Sequence, residues 1–342
     1  MAQHALELAL FCQPNKKAKG GCAVLFMLIR RVLLGGVTVC IVSLIIFAGV
    51  EMLPGDACTQ FLGEYQADEE LLAQCRKDLN LNRPPIDRFA EWTQGAITGD
   101  LGLAADGTTK ISTIVGDRLK NSLLLAFLAM AVGIPLALFL GVVSGLWRDR
   151  LPDIIASTLA IFAMTIPEFV SATLLILVLS VWLGWLPGIV LTSAAAPASE
   201  FFPEILLPVI VLSFVMCAHI MRMVRSSVID VMASDYVQMA TLKGVPYWQM
   251  VFRHALPNAL LPAINVVALT IAWLLGGVVV IEVVFNYPGL GRLMIDSISD
   301  RNLPVVQSIA LIVASVYVCV NLAADLLTMI ANPKLRTMYM RK

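Results

Sequence analysis

Six long apolar runs, at residues 32–50, 122–146, 153–185, 205–224, 260–285 and 305–330, decide what this chain can fold into. A helix crosses the ~30 Å hydrocarbon layer of a bilayer with roughly 20 mainly apolar residues, so six crossings use about 120 to 150. The 342-residue chain supplies them and leaves ample length for loops. Its composition agrees: 59% of residues are hydrophobic and 14% charged, far from the balance of a soluble domain. With 24 basic and 24 acidic residues the formal net charge is zero, so no basic field argues for nucleic acid. The expected fold class is therefore all-α, a polytopic membrane protein whose first partner is the lipid bilayer.

Charge placement orients the runs. Arg30 and Arg31 stand before the first, and Arg148 and Arg150 follow the second. Short connections on one side hold two Lys or Arg (147–152) and four (222–256), against none (187–204) and two (286–304) on the other. Basic loops stay in the cytoplasm, so both termini are expected inside. Residues 1–23, with Lys16, Lys17 and Lys19, read as a cytoplasmic tail ahead of a membrane domain at 24–342, and residues 54–119 as an extracytoplasmic loop. The third run is longer than one straight crossing needs and carries Pro167 in its middle, which predicts a kinked or tilted helix.

The outer loop has its own order. Asp68, Glu69 and Glu70 precede an apolar stretch that closes with Arg76 and Lys77, the charge order of a helix. A second helix is expected after Pro84 and Pro85, with Ile86, Phe89 and Trp92 on one side, so that the loop forms a small structured cap. Cys58 and Cys75 both fall here, where an oxidising compartment would let them pair and a reducing one would leave them free. Across the seven cysteines there is no CxxC pair and no Cys/His cluster.

The inner segment 226–261 carries the densest local signals. Asp235 with Gln238 three residues on has the form of a capping box. Lys243 and Gly244 suit a helix end. Pro246 then suits the start of a second helix over 247–256, which Pro257 would end. Helices this short are marginal alone in water, so the pair must dock either on its own membrane bundle or in a groove of a cytosolic partner.

Here the sequence resembles the permease subunits of bacterial ABC importers, whose EAA loop reads EAA, three residues, Gly, nine residues, then Ile-x-Leu-Pro. This chain has Gln238, Met239, Ala240, then Gly244, then His254, Ala255, Leu256, Pro257. The spacing is kept, while Gln, Met and His replace the family's Glu, Ala and Ile. DYVQMATLKGV at 235–245 and RHALPNALLPAI at 253–264 look like the dipeptide, oligopeptide and nickel importer branch. LPGD at 53–56, RPPIDRFAEW at 83–92, GDLG at 99–102, IEVVFNYPGLGRL at 281–293 and NLAADLLTMIANPKLR at 321–336 agree with it. The early PGD block resembles the first of the two permeases in such systems.

The resemblance implies the type I permease fold in the bacterial inner membrane, and importing work on dipeptides, oligopeptides, glutathione, opine-like compounds or nickel chelates. It implies as partners a second homologous permease, two cytosolic ATP-binding subunits and an extracytoplasmic solute-binding protein. ATP and Mg would sit on those partners, with no cofactor in this chain. It assigns Tyr236, Gln238, Ala240, Lys243 and Gly244 to the coupling contact with the ATPases. No GxxxxGK[ST], HExxH or GxSxG motif occurs, so an intrinsic enzyme is not expected.

Charges inside apolar runs are costly and need a reason. Glu168, beside Pro167, is expected to face the solute path, to pair across the permease interface, or to be carried towards water by the kink. Glu282 and Asn286 belong to the outer turn with Pro288, Gly289 and Gly291, read as a packing and gating element. Asp325 is expected to pair with a base such as Arg222, and His219 to be a satisfied bundle residue. Gly141-x-x-x-Gly145 predicts close helix approach, within the chain or at the permease interface. The alternative function is an autonomous ion-coupled carrier or channel using Glu168 and Asp325.

Overall fold

A computed structural model describes residues 18–52, 58, 69–78 and 82–331. The described residues are helical, apart from loops and a single β-bridge between Leu103 and Lys110. In chain order the helices are α1 (Ala18–Glu51), α2 (Glu69–Asp78), α3 (Pro85–Thr98), α4 (Ile111–Leu146), α5 (Leu151–Thr165) and α6 (Glu168–Leu175), which continues as a π-helical turn over Ile176–Trp182. Then come α7 (Leu206–Met232), α8 (Asp235–Leu242), α9 (Tyr247–Met250), a second π-helical turn (Val251–Ala255), α10 (Leu256–Ala259), α11 (Leu261–Val284), α12 (Leu290–Ser299) and α13 (Leu303–Ala331). Helix α1 begins inside the segment expected as a tail, and the residues before Ala18 lie outside the described ones.

Five helices among the described residues are long and apolar enough to cross a bilayer, and α5 with α6 makes a sixth, broken element bent by 112°. The bend corrects the expected kinked or tilted helix. Pro167 has no amide hydrogen to continue the ladder, and Ile166 before it is extended (φ −81°, ψ 128°), so α5 stops and α6 restarts. The contacts of the segment place its two ends on opposite sides of the bundle. At its start Asp153 of α5 binds Arg225 near the inner end of α7. Beyond its end, the amide of Val190 donates to the carbonyl of Phe285 at the outer end of α11 (2.8 Å).

The centre of the fold is the pairing of α4 with α7, its most extensive helix contact. Gly133, Gly141 and Gly145 line the α4 side of that seam. A Cβ on Gly141 would stand 2.6 Å from Val224 Cβ, and one on Gly145 2.7 Å from Val228 Cβ. The GxxxG pair thus packs inside the chain, where tight van der Waals contact replaces the missing hydrophobic drive.

Helix α4 is longer than its apolar run. Its 36 residues make about 54 Å, so its first turns, with Asp117, Arg118 and Lys120, project beyond the outer interface. There Ala104, Ile111, Val115, Leu290, Val305 and Ile309 form a small separate core. Helices α2 and α3 form where the charge order and the paired prolines place them. Phe89 and Trp92 pack on Phe47 of α1, and Arg88 binds Glu51, whereas Ile86 points away and is exposed. Cys58 is buried and disulfide-bonded, while the side chain of Cys75 lies outside the described residues.

Helix α1 exposes Val32, Leu33, Leu34, Val37, Ile41 and Ile45 on nearly all sides. A helix so apolar and so bare needs lipid around it. It is tied to α13 by an ion pair of Arg31 with Asp325. Asp325 thus takes a base, but that base is Arg31 rather than Arg222. Pairing removes the cost of a lone carboxylate near the membrane.

Candidate functional site: a cavity and the hairpin beneath it

The outer half of the bundle is filled. Phe201, Leu207, Leu212, Leu274, Ile281, Phe285 and Tyr287 are all buried there. Glu282 is fully buried and organises this closure. Its carboxylate accepts from the Ser122 hydroxyl and from the amides of Gly291 (2.7 Å) and Arg292 (3.2 Å). Those amides open α12, whose first N–H groups have no helical partner, so an acid from another helix caps it. A Cβ on Gly289 would lie 2.1 Å from the Glu282 carboxyl carbon, and one on Gly291 2.6 Å from Val279 Cα, so only glycine allows the approach.

Asn286 sits at φ +58° in the same turn and donates to the Val190 carbonyl (2.7 Å), while its own carbonyl accepts from Arg292 (2.7 Å). Tyr287 donates to the Asn121 carbonyl (2.9 Å). Burial, and then the charge of Glu282, push the Tyr287 phenol above its ordinary range. In the adjoining loop burial pulls Glu204 upward, but the Thr192 hydroxyl and the amides of Leu191 and Thr192 outweigh it and hold the acid below its ordinary value. Glu282 and Asn286 therefore tie together the packed turn that plugs the outer half. The signals that marked them in sequence were a charge at the end of an apolar run and an NYPGLG turn.

The inner half is open. A cavity of about 630 Å³ lies between α5, α7 and α11, with Met164, His219, Arg222, Arg225, Thr270 and Trp273 in its wall. His219 faces Trp273 with ring centroids 5.7 Å apart. Arg225, in the same wall, binds Asp153 through Nε and Nη2 (2.7 Å from the latter). Asp153 also accepts from Ser144, Ser157 (3.0 Å) and the Asp149 amide (2.8 Å). The pair is not among the residues expected from sequence, although an acid at the edge of an apolar run is a usable signal. Glu168, at the start of α6, rests against α11, with Oε2 2.7 Å from where a Gly277 Cβ would be. That oxygen is buried and has no hydrogen-bond partner among the described residues. Gly277 is one turn beyond Trp273 on α11, so Glu168 stands next to the cavity's outer end.

Beneath the cavity, α8 and α9 form a hairpin. Ser234, not Asp235, holds the N-cap position, and no side-chain capping bond forms. Asp235 is one residue inside, where its charge still meets the helix dipole, and Gln238 Nε2 donates back to the Ala233 carbonyl (3.2 Å). The C-terminus is as expected. Gly244 takes φ +77°, its amide donates to Thr241 (2.9 Å), and the Val245 amide donates to Ala240 (3.2 Å), the two bonds of a Schellman ending. Pro257 does not end the second helix. The wide turn over Val251–Ala255 shifts the register, so that Pro257 falls in the first turn of α10, where no amide is needed.

Val237, Met250, Val251 and Ala255 form the hairpin's own core, with Ala240 half-buried against it. The Tyr236 hydroxyl donates to the His254 carbonyl (3.0 Å) and accepts from Asn258 (3.3 Å), binding the two arms together. Gln238, Lys243 and Gly244 are exposed. So are Met239, Leu242, Tyr247, Trp248 and Phe252, the last two with stacked rings. Of the expected contact residues, Gln238 and Lys243 face outward, whereas Tyr236, Ala240 and Gly244 set the hairpin's shape.

A multi-helix membrane protein, filled on one side and open on the other above a folded hairpin, has the layout of a transport permease. Residues 133–337 match the family described as binding-protein-dependent transport system inner membrane component. The glutathione transport system permease protein GsiC of Escherichia coli O6:H1 (strain CFT073) is 34% identical over 299 residues, covering 87% of this chain and 95% of that protein. GsiC of Escherichia coli K12 is 33% identical over the same coverage. A crystal structure of an amino acid ABC transporter with histidines aligns with a TM-score of 0.47 and 18% identity, over 67% of this chain and 94% of that one.

The chain belongs to the family of binding-protein-dependent transport system inner membrane components. It is an inner-membrane permease subunit of an ABC importer, working within a transporter complex, and is not itself an enzyme. The ion-coupled carrier is thereby set aside.

Proposed function

We propose that this permease imports peptide-like solutes, glutathione among them, and pairs with a second homologous permease to form the path. Two cytosolic subunits bind ATP and Mg and hydrolyse the nucleotide, an extracytoplasmic protein delivers the solute, and this chain carries no cofactor. The hairpin of α8 and α9 receives the mechanical work, through Gln238 and Lys243 at its surface and through the shape that Tyr236, Ala240 and Gly244 impose. Glu168 acts at the helix break beside the path, and Glu282 and Asn286 hold the outer gate.

One observation carries the reading. The hairpin has its own buried core and still exposes Met239, Leu242, Tyr247, Trp248 and Phe252. A segment already satisfied internally that shows so much apolar surface suits a partner groove, and the GsiC relatives supply the solute class. The test is reconstitution in liposomes with and without the ATP-binding subunits and the binding protein. Uptake of labelled glutathione should need all components and ATP. Uphill uptake by this chain alone would refute the scheme.

A further inference from the structure

The cavity wall carries two arginines in different electrical states. Arg225 is neutralised by Asp153, whose two oxygens are fully taken up by Arg225, Ser144, Ser157 and the Asp149 amide. Arg222, one turn away on α7, makes no hydrogen bond or ion pair with the described residues. It faces a space of about 630 Å³, within the range that holds small ligands. His219, Thr270 and Trp273 stand around it. A guanidinium is always charged and presents a planar fork matched to a carboxylate. Exposed to this space and without a partner among the described residues, it can take a ligand that brings one.

We propose that Arg222 is the carboxylate-binding group of the translocation cavity, so that this permease selects at that point for solutes with a free carboxylate. The proposal rests on the import of peptide-like solutes and adds a selection step inside the membrane, separate from any made by the binding protein. Trp273 reports on the site, because it shares the wall with Arg222.

The experiment uses the assembled, nucleotide-free transporter in nanodiscs of phosphatidylcholine, titrated with glutathione or with its diethyl ester while tryptophan fluorescence is read. Glutathione should give a saturable change that Trp273→Phe removes. The ester should bind roughly 10- to 100-fold more weakly, the worth of a hydrogen-bonded charge. Arg222→Gln should bring glutathione down to the level of the ester and leave the ester unchanged, and Arg222→Lys should restore part of the difference.

Equal binding of acid and ester, no saturable signal, or an acid advantage that survives Arg222→Gln would overturn the proposal. So would loss of assembly in Arg222→Gln, which would make the partner permease the source of the carboxylate. An Arg222-dependent signal produced by adding phosphatidylglycerol, with no solute preference, would assign the group to lipid headgroups and also overturn it. Uptake in liposomes is scored separately. Acid-selective binding without ATP-driven glutathione uptake would remove the import reading and leave the role of Arg222 standing.

Discussion

Gly244 offers the cleanest perturbation of the hairpin formed by α8 and α9, because only its backbone angle is special. At φ +77° it lies in the left-handed region, and a Cβ built there meets no atom within 4 Å. Substitutions therefore act through conformation and not through collision. A residue with a Cβ pays about 1–2 kcal/mol to hold this angle, which lowers the population of the correctly turned hairpin about 5- to 30-fold relative to competing turns. Asn tolerates the left-handed region better than Ala. Pro is excluded from positive φ and lacks the amide that donates to Thr241 (2.9 Å).

The variants should fall in the order Gly244, Asn, Ala, Pro in ATP turnover stimulated by the loaded binding protein, with Pro at background. None touches a membrane span, so insertion and co-purification with the other subunits should be unchanged. The assay is stimulated ATPase activity of purified complexes in liposomes, with uptake measured on the same vesicles. A Pro variant that assembles and transports normally would refute the coupling role. Equal loss in all three would show that the left-handed angle is not what matters.

Three further predictions concern the scaffold. Gly141→Leu should lower the melting temperature of the detergent-solubilised subunit sharply, because overpacking the seam against Val224 costs about 1–3 kcal/mol or more; Gly36→Leu, in open space, should leave it unchanged. Asp153→Asn should destabilise by about 3 kcal/mol, the low end for a broken buried pair, since Arg225 keeps partial exposure; the double variant Asp153→Asn with Arg225→Gln should recover part of that loss in the same melt. Glu282→Ala should orphan the Gly291 and Arg292 amides at about 1–3 kcal/mol each and open the outer plug to thiol reagents at an introduced cysteine, whereas Glu282→Gln should be milder.

What could be read beforehand was whatever one segment settles alone. Apolar length fixes a crossing, paired prolines fix the start of α3, and Gly244 fixes a left-handed stop because few other residues hold that angle. What could not be read depended on which neighbour arrives. Asp325 needed a base near the membrane, yet Arg222 and Arg31 are equally basic in sequence, and only the packing of α1 on α13 selects Arg31. The cap of α8 slipped from Asp235 to Ser234 because both are good cap residues one position apart, and the chain leaving α7 chose between them. Two prolines in helical stretches had different outcomes for a similar reason. At Pro167 the chain breaks, and Gly277 leaves room for Glu168 beside the new helix. At Pro257 a wide turn absorbs the missing bond, and the helix runs on into the membrane.

That continuity ties the hairpin to the cavity. Helix α7 ends at Met232, two residues before the N-cap of α8. The second arm passes from Tyr247 through the wide turn and α10 into α11 with only Leu260 between. The hairpin therefore joins the inner ends of the two helices that carry Arg222 and Trp273, on opposite walls of the same space. Tyr236 locks the arms to each other through the His254 carbonyl, which lies in the wide turn itself. In the proposed coupling scheme, a push on the exposed face of α8 or α9 strains that bond and reaches α7 and α11 together, and with them the width of the cavity between them.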